Sequence, residues 1–390
     1  MKNSRLTVIG AGVIGLSCAW RAAAAGLRVT VLDPAPASGA SWVAGGMLAP
    51  VTEAWPGEEA LLELGVESVR RWRGFAEEVG AAAGRPAGLR TEGTVVVATG
   101  AGDRAELDTL AGYLARLGRD VERLSGRELR RLEPALGPDV RGGLSVPDDL
   151  AVDNRVLLAA LRVAGEGAGV TFVERAARAV LDDGTRVTGV RTDGADLASD
   201  VVLICAGAHS GSLHPVLHGL VRPVKGEILR LAHRSGAFPP PTRTVRALVD
   251  GRPVYAVPRD GGGLVIGATQ AETGFDTEVT VGGVRDLLRD AERVLPGIAE
   301  YALVESAAGL RPGSLDNLPL IGALGPDGLL VATGHHRNGM LLAPVTADAV
   351  LELLHGRPVP EAVRAADPDR CVSGANRHHE EVARARVDQR

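Results

Sequence analysis

Residues 6–20 read Leu-Thr-Val-Ile-Gly-Ala-Gly-Val-Ile-Gly-Leu-Ser-Cys-Ala-Trp, and no other stretch limits the fold of this chain as much. The apolar, β-branched start predicts a buried strand. Gly10, Gly12 and Gly15 then open a helix running toward Ala25, and a second apolar run, residues 29–32, ends in Asp33. Each part has a mechanical reason. Gly10 turns the chain tightly, Gly12 lets a pyrophosphate approach the backbone, and Gly15 lets helix and strand pack closely. The helix N-terminus offers free N–H groups and partial positive charge to an anion. Asp33 stands where a carboxylate accepts hydrogen bonds from a ribose. With 51 glycines in 390 residues, a bare G-x-G-x-x-G arises by chance. It is the register of strand, glycines, helix, second strand and acid that predicts a dinucleotide site, without separating NAD from FAD.

A chain of this length has room for two domains with sizeable cores. Its formal net charge of −5 argues against nucleic acid or an anionic membrane as partner. No apolar run reaches the ~18 residues of a membrane span, and the first residues lack the cleavage site of a secretory leader. Cys18, Cys205 and Cys371 have neither CxxC nor metal-ligand spacing. Buried thiols in a reducing cytoplasm, and no metal, are therefore expected.

Along the chain, residues 38–50 are too small and glycine-rich for a regular element and are expected to form a second wall of the nucleotide site. Apolar residues at helical spacing predict helices over 58–82 and 104–117. Ser125 with Glu128 has capping-box spacing, and Asp153 or Asn154 opens a further helix to 164. Strands are expected at 93–99, 170–173, 179–181, 187–192 and 201–205, with residues 182–184 as a hairpin turn. The last of these strands runs into Ala206 and Gly207, where backbone again comes close to a ligand. Residues 222–231, 247–249, 254–257 and 264–267 read as an antiparallel sheet with Pro and Gly in its turns. Helices follow at 281–294 and 340–355, strands at 303–306 and 329–333, and residues 373–390 read as a disordered tail. Nucleotide-type and sheet-type segments interleave. The expected division is therefore 1–88 with 140–221 and 302–365 as one domain, and 89–139 with 222–301 as the other.

The C-terminal third chooses between cofactors. Gly309-Leu-Arg311-Pro-Gly313-Ser, then residues 316–322, then Gly334-His335-His336-Arg337-Asn338-Gly339-Met340-Leu341 is not how NAD dehydrogenases end. Together with the N-terminal fingerprint and the run Ala44-Gly45-Gly46-Met47-Leu48, the chain resembles the D-amino-acid oxidase family of flavoenzymes, and within it the glycine-oxidising branch of thiamine biosynthesis. The resemblance covers residues 6–355. It implies an α/β fold: a Rossmann-type FAD domain and a second domain with a mixed, largely antiparallel sheet over the flavin. Gly10, Gly12, Val13, Ile14 and Gly15 would hold the pyrophosphate of non-covalent FAD. Asp33, with Pro34 beside it, would hold the ribose, where the family more often has Glu. Ser41, Gly45, Gly46 and Met47 would line the flavin, Ala177 the adenine side, and Ala206 and Gly207 the close approach after the strand. His335, His336, Arg337, Asn338, Gly339, Met340 and Leu341 would run under the isoalloxazine, with the helix start directing N–H dipoles at the negative charge of the reduced ring.

The chemistry implied is hydride transfer from the α-carbon of glycine, a small amine or a D-amino acid to flavin N5. The product is an imine, and dioxygen is reduced to hydrogen peroxide. The imine would pass to water or to a thiazole synthase. Arg311 is expected to clamp the substrate carboxylate through two parallel hydrogen bonds, in a turn shaped by its glycine and proline neighbours. Tyr255 has two readings, a core ring on an alternating strand or, by the family motif, a donor to that carboxylate. Arg337 would reinforce the positive potential, and Gln270 would line the substrate cavity where relatives carry Met. No histidine is assigned proton transfer. Alternatives are a D-amino-acid dehydrogenase, a sarcosine oxidase or a non-catalytic dinucleotide sensor. The sequence leaves oligomeric state open, a homo-oligomer included.

Overall fold

The computed structural model describes residues 4–119 and 121–371. The tail expected to be disordered, 373–390, lies outside them. The strand Arg5–Ile9 is the centre of a six-stranded sheet. It pairs in parallel with Arg28–Leu32 on one side and Val201–Ile204 on the other. Thr171–Val173 extends the sheet beyond the former, and Leu329–Thr333 beyond the latter, both in parallel. Leu320–Ala323 closes that edge antiparallel. Parallel strands are buried on both faces, and this one alternates accordingly. Leu6 and Val8 join the helices Val13–Ala24, Glu59–Ala83, Asn154–Gly167 and Gly339–Leu354 in one core with Trp72, Phe75 and Leu161. Ile9 faces a second core with Val180, Val190 and Ile204, roofed by a three-stranded sheet over residues 177–198.

Local signals place the helix ends. Asp153 accepts from the backbone N–H of Arg155 and Val156, Ser125 and Glu128 form the reciprocal capping box, and Gly84 ends the 25-residue helix in the left-handed conformation. Trp72 is fully buried, and its indole N–H donates to Leu341 O at 2.9 Å.

The second body is an eight-stranded sheet. Its order is Ala302–Gly313, Arg222–Ala232, Gly263–Gly267, Arg252–Pro258, Thr244–Val249, Thr94–Ala98, Gly142–Val146, Glu122–Ser125. Only Thr244–Val249 with Thr94–Ala98 is parallel among these neighbours. The amphipathic helix Val281–Val294 packs Leu287, Ala291 and Val294 onto it. Gly142–Val146 and Ala302–Gly313 were expected with the nucleotide half; their hydrogen bonds belong to this sheet. The segment 38–50 is also more regular than its composition suggested. It forms one helical turn, Ala40–Val43, and a short strand, Met47–Leu48, paired with Leu150–Val152. Among the described residues no helix is long and apolar enough to cross a membrane.

Candidate active site

Between the two large sheets lies a cavity of about 730 Å³, a size that ligand pockets commonly have. One end is built by the fingerprint. Gly10 has φ +108°, and a Cβ there would stand 2.4 Å from Cys205 O. Gly15 does not line the cavity; a Cβ on it would lie 1.9 Å from Gly10 O, so its task is the close packing of helix on strand. Asp33 does more than the motif required. One carboxylate oxygen accepts from Ala11 N–H at 2.7 Å and the other from Ala35 N–H at 2.9 Å. The shorter Asp thereby pins the glycine turn and keeps lone pairs for a ligand. Ser41 Oγ accepts from Val13 N–H at 3.0 Å and so crosses to the helix start from the neighbouring segment.

The other end is built by the eight-stranded sheet. Arg311 lies not in a turn, as expected, but in the last third of the 12-residue strand Ala302–Gly313. Its long side chain crosses the adjacent strand, where Gly226 leaves the room. A Cβ on Gly226 would lie 2.2 Å from Arg311 Nη1. That guanidinium donates to the carbonyls of Lys225 and Thr269 at 3.3 and 3.2 Å. Among the described residues no carboxylate pairs with it. Burial lowers its pKa below the usual arginine value, Arg337 adds to this, and Tyr255 and Glu53 oppose it. Tyr255 uses the same device. Its ring lies where a Cβ on Gly267 or Gly45 would be, at 2.3 and 2.7 Å. Burial raises its phenol, while Arg311 acts to lower it. Arg259 holds the facing loop, donating to Gly45 O at 2.7 Å.

Most residues singled out in the sequence meet here. The lining includes Gly10, Gly12, Val13, Ile14, Asp33, Pro34, Ser41, Gly45, Gly46, Met47, Ala177, Ala206, Gly207, Tyr255, Arg311, His335, His336, Arg337, Gly339 and Met340. Four lie outside it. Gln270 is exposed to solvent. Gly15 packs as described. Asn338 is buried behind the turn, and Leu341 joins the helical core. Arg337 is less free than expected, since Glu53 and Glu58 stand 3.8 and 3.6 Å from it. Glu53 was missed. It lines the cavity and also pairs with Arg246 at 2.7 Å, but a lone acid in an irregular segment carries no sequence signal. His335 turns its ring away, Nε2 to Thr346 Oγ1 at 3.1 Å, and burial lowers its pKa to about 3.

These residues fit a flavin dinucleotide. The helices Val13–Ala24 and Gly339–Leu354 both start at the cavity, and neither has a side-chain cap from its N-cap residue. Two such N-termini suit an anionic cofactor. Fold and cavity therefore define a two-sheet protein whose central cavity fits a dinucleotide. The sequence pattern of the DAO family, FAD dependent oxidoreductase, matches residues 5–353, and the chain belongs to that family. Its cofactor is FAD.

Relatives narrow the comparison. Glycine oxidase of Pseudomonas aeruginosa is 33% identical, over 91% of this chain and 96% of that protein. The bifunctional protein ThiO/ThiG of Synechocystis is 33% identical over 96% of this chain, which spans only 55% of that longer protein. The crystal structure of glycine oxidase from Geobacillus kaustophilus superimposes with a TM-score of 0.85 at 31% identity, covering 93% of this chain and 98% of that one.

Proposed function

We propose that this protein oxidises glycine and other small amines or D-amino acids at the α-carbon, giving an imine and reducing dioxygen to hydrogen peroxide. The observation that carries the reading is Arg311, a half-buried guanidinium on the cavity wall whose hydrogen bonds go to two carbonyls and to no carboxylate among the described residues. A cation partly withdrawn from water without an anion is unfavourable, and a substrate carboxylate would supply the missing partner through two parallel N–H···O bonds. Tyr255 lines the same cavity, and its hydroxyl would donate to that carboxylate. When bound, FAD supplies a two-electron acceptor at its N5. The chain's own residues fix the carboxylate and so aim the α-carbon. The amine enters neutral, its lone pair assists loss of the α-hydrogen as hydride, and its N–H proton leaves to water as the C=N bond forms. No side chain then has to act as a strong base, in keeping with the lowered basicity of His335 and His336.

The names of the glycine oxidases support glycine as substrate. The ThiO/ThiG relative supports transfer of the imine to a thiazole-forming partner. Arg311→Ala tests the site. Losing two charge-assisted hydrogen bonds of about 1.5 kcal/mol each is expected to raise KM for glycine on the order of 100-fold, with FAD retained. Unchanged steady-state kinetics would remove Arg311 from the site. Release of peroxide in step with glycine consumption separates an oxidase from a dehydrogenase.

A further inference from the structure

Two carboxylates line the cavity, Asp33 and Glu53. Asp33 belongs to the fingerprint, where it accepts from Ala11 and Ala35 N–H. Glu53 belongs to the other end, and the clamp of Arg311 and Tyr255 makes no use of it. The segment that presents it is fixed from behind. Buried Asp149 accepts from the N–H groups of Val51 and Thr52 at 3.2 and 2.7 Å, and Glu53 N–H donates to Ala49 O at 3.2 Å. The Glu53 side chain is 13% exposed, and Arg246 Nη1 lies 2.7 Å from its Oε1. Arg246 stands directly opposite Tyr255 in the antiparallel pair of Thr244–Val249 with Arg252–Pro258. Opposed residues of such a pair point to the same face of the sheet, so the arginine draws the carboxylate to the face that carries the phenol.

Its charge reaches the groups that would receive the substrate. Glu53 acts on Tyr255, on Arg311 and on His336, in each case in favour of the protonated form. An α-amino acid carries a carboxylate and an amine on one carbon. This end of the cavity has a guanidinium with no carboxylate partner among the described residues and, within its field, the carboxylate of Glu53. A ligand held by its carboxylate alone still turns about the bond to its α-carbon. A second hydrogen bond, from the amine, stops that rotation and fixes the direction of the α-hydrogen. Arg337 comes no nearer to Glu53 than 3.8 Å, which leaves lone pairs of the carboxylate to a ligand. Arg246 and Arg337 together offset its charge, so it can accept from a neutral amine without holding it as ammonium.

We propose that Glu53 is a specificity-determining residue that accepts a hydrogen bond from the substrate amine, so that the cavity holds an α-amino acid at both functional groups and selects it over carboxylic acids that lack the amine. The proposal rests on the reading that Arg311 takes the carboxylate. Acetate carries the carboxylate alone, and its binding to the FAD-loaded protein can be read from the flavin absorbance. In Glu53→Gln, where the acceptor is no longer charged, kcat/KM for glycine is expected to fall about tenfold, and in Glu53→Ala further. Acetate is expected to bind both variants as tightly as the unaltered protein, or more tightly, because a negative charge near Arg311 has gone. An unchanged kcat/KM for glycine in both variants would overturn the proposal. So would a parallel loss of acetate affinity, or loss of FAD, since either would mean that Glu53 holds Arg337 and the cavity wall rather than the substrate. If Arg311→Ala binds acetate as well as the unaltered protein does, the Arg311 reading fails and this one falls with it.

Discussion

Arg311 and Tyr255 reach one cavity from strands that are not neighbours. Two other strands lie between them, and each gives way at a glycine, Gly226 under the guanidinium and Gly267 under the phenol. The arginine was legible because its motif is distinctive. The glycines that make room for it were not, since Gly226 and Gly267 look like any others among 51. Glu53 was illegible for a similar reason, because its role exists only through Arg246 and Arg337, both distant in sequence. At the same scale, His335 makes a pH prediction. Burial holds it at about 3 in the folded protein against an ordinary 6.5. Above pH 6.5 it is neutral in both states and costs nothing. As pH falls from 6.5 toward 3, the unfolded chain takes up a proton that the folded one does not, so stability falls. His336, at about 4, acts in the same direction. Buried Asp149, raised to about 6, acts in the opposite one, its stabilisation being lost as pH rises through that value. With FAD in excess, His335→Gln is expected to reduce the loss in Tm between pH 7 and pH 5. An unchanged loss would show that His335 is protonated in the fold.

Among the elements, the loop Ala44–Met47 offers the sharpest contrast. Gly45 and Gly46 are adjacent, both line the cavity, and the resemblance gave them one role. Their surroundings differ. A Cβ on Gly45 meets the outer atoms of the Tyr255 ring, which can swing aside. One on Gly46 meets Val152 O at 2.0 Å, where φ is already +80°, and backbone cannot yield without loss of the local pairing. Gly45→Ala is therefore expected to displace the phenol and raise KM for glycine, with little change in Tm. Gly46→Ala is expected to lower stability by about 1–3 kcal/mol. Thermal unfolding and steady-state kinetics on the two variants check this, and equal Tm losses would contradict it. The helix Val281–Val294 was read from the sequence to the residue, and the helices Glu59–Ala83, Ala101–Arg116 and Gly339–Leu354 to within one to three residues at each end. The strand Ala302–Gly313 was split into a strand and a turn, because Gly309, Pro312 and Gly313 argue locally against extended pairing. The partner strand Arg222–Ala232 overrides that local preference along its whole length.

At the scale of the whole molecule, two sheets with separate cores enclose the cavity, and the chain crosses between them several times. The class of fold followed from the fingerprint and the resemblance. The assignment of strands to sheets did not, since Gly142–Val146 and Ala302–Gly313 lie in sequence beside nucleotide-half segments while their hydrogen bonds are made elsewhere. Function depends on this crossing, because the fingerprint end would hold the cofactor and the sheet end would bring Arg311 and Tyr255 to its reactive face. The most direct test is an anaerobic titration of the purified, FAD-loaded protein with glycine, followed at the flavin absorption bands. The account predicts that the yellow colour bleaches in proportion to added glycine and returns on admission of air with release of peroxide. A flavin that stays oxidised in excess glycine would contradict it.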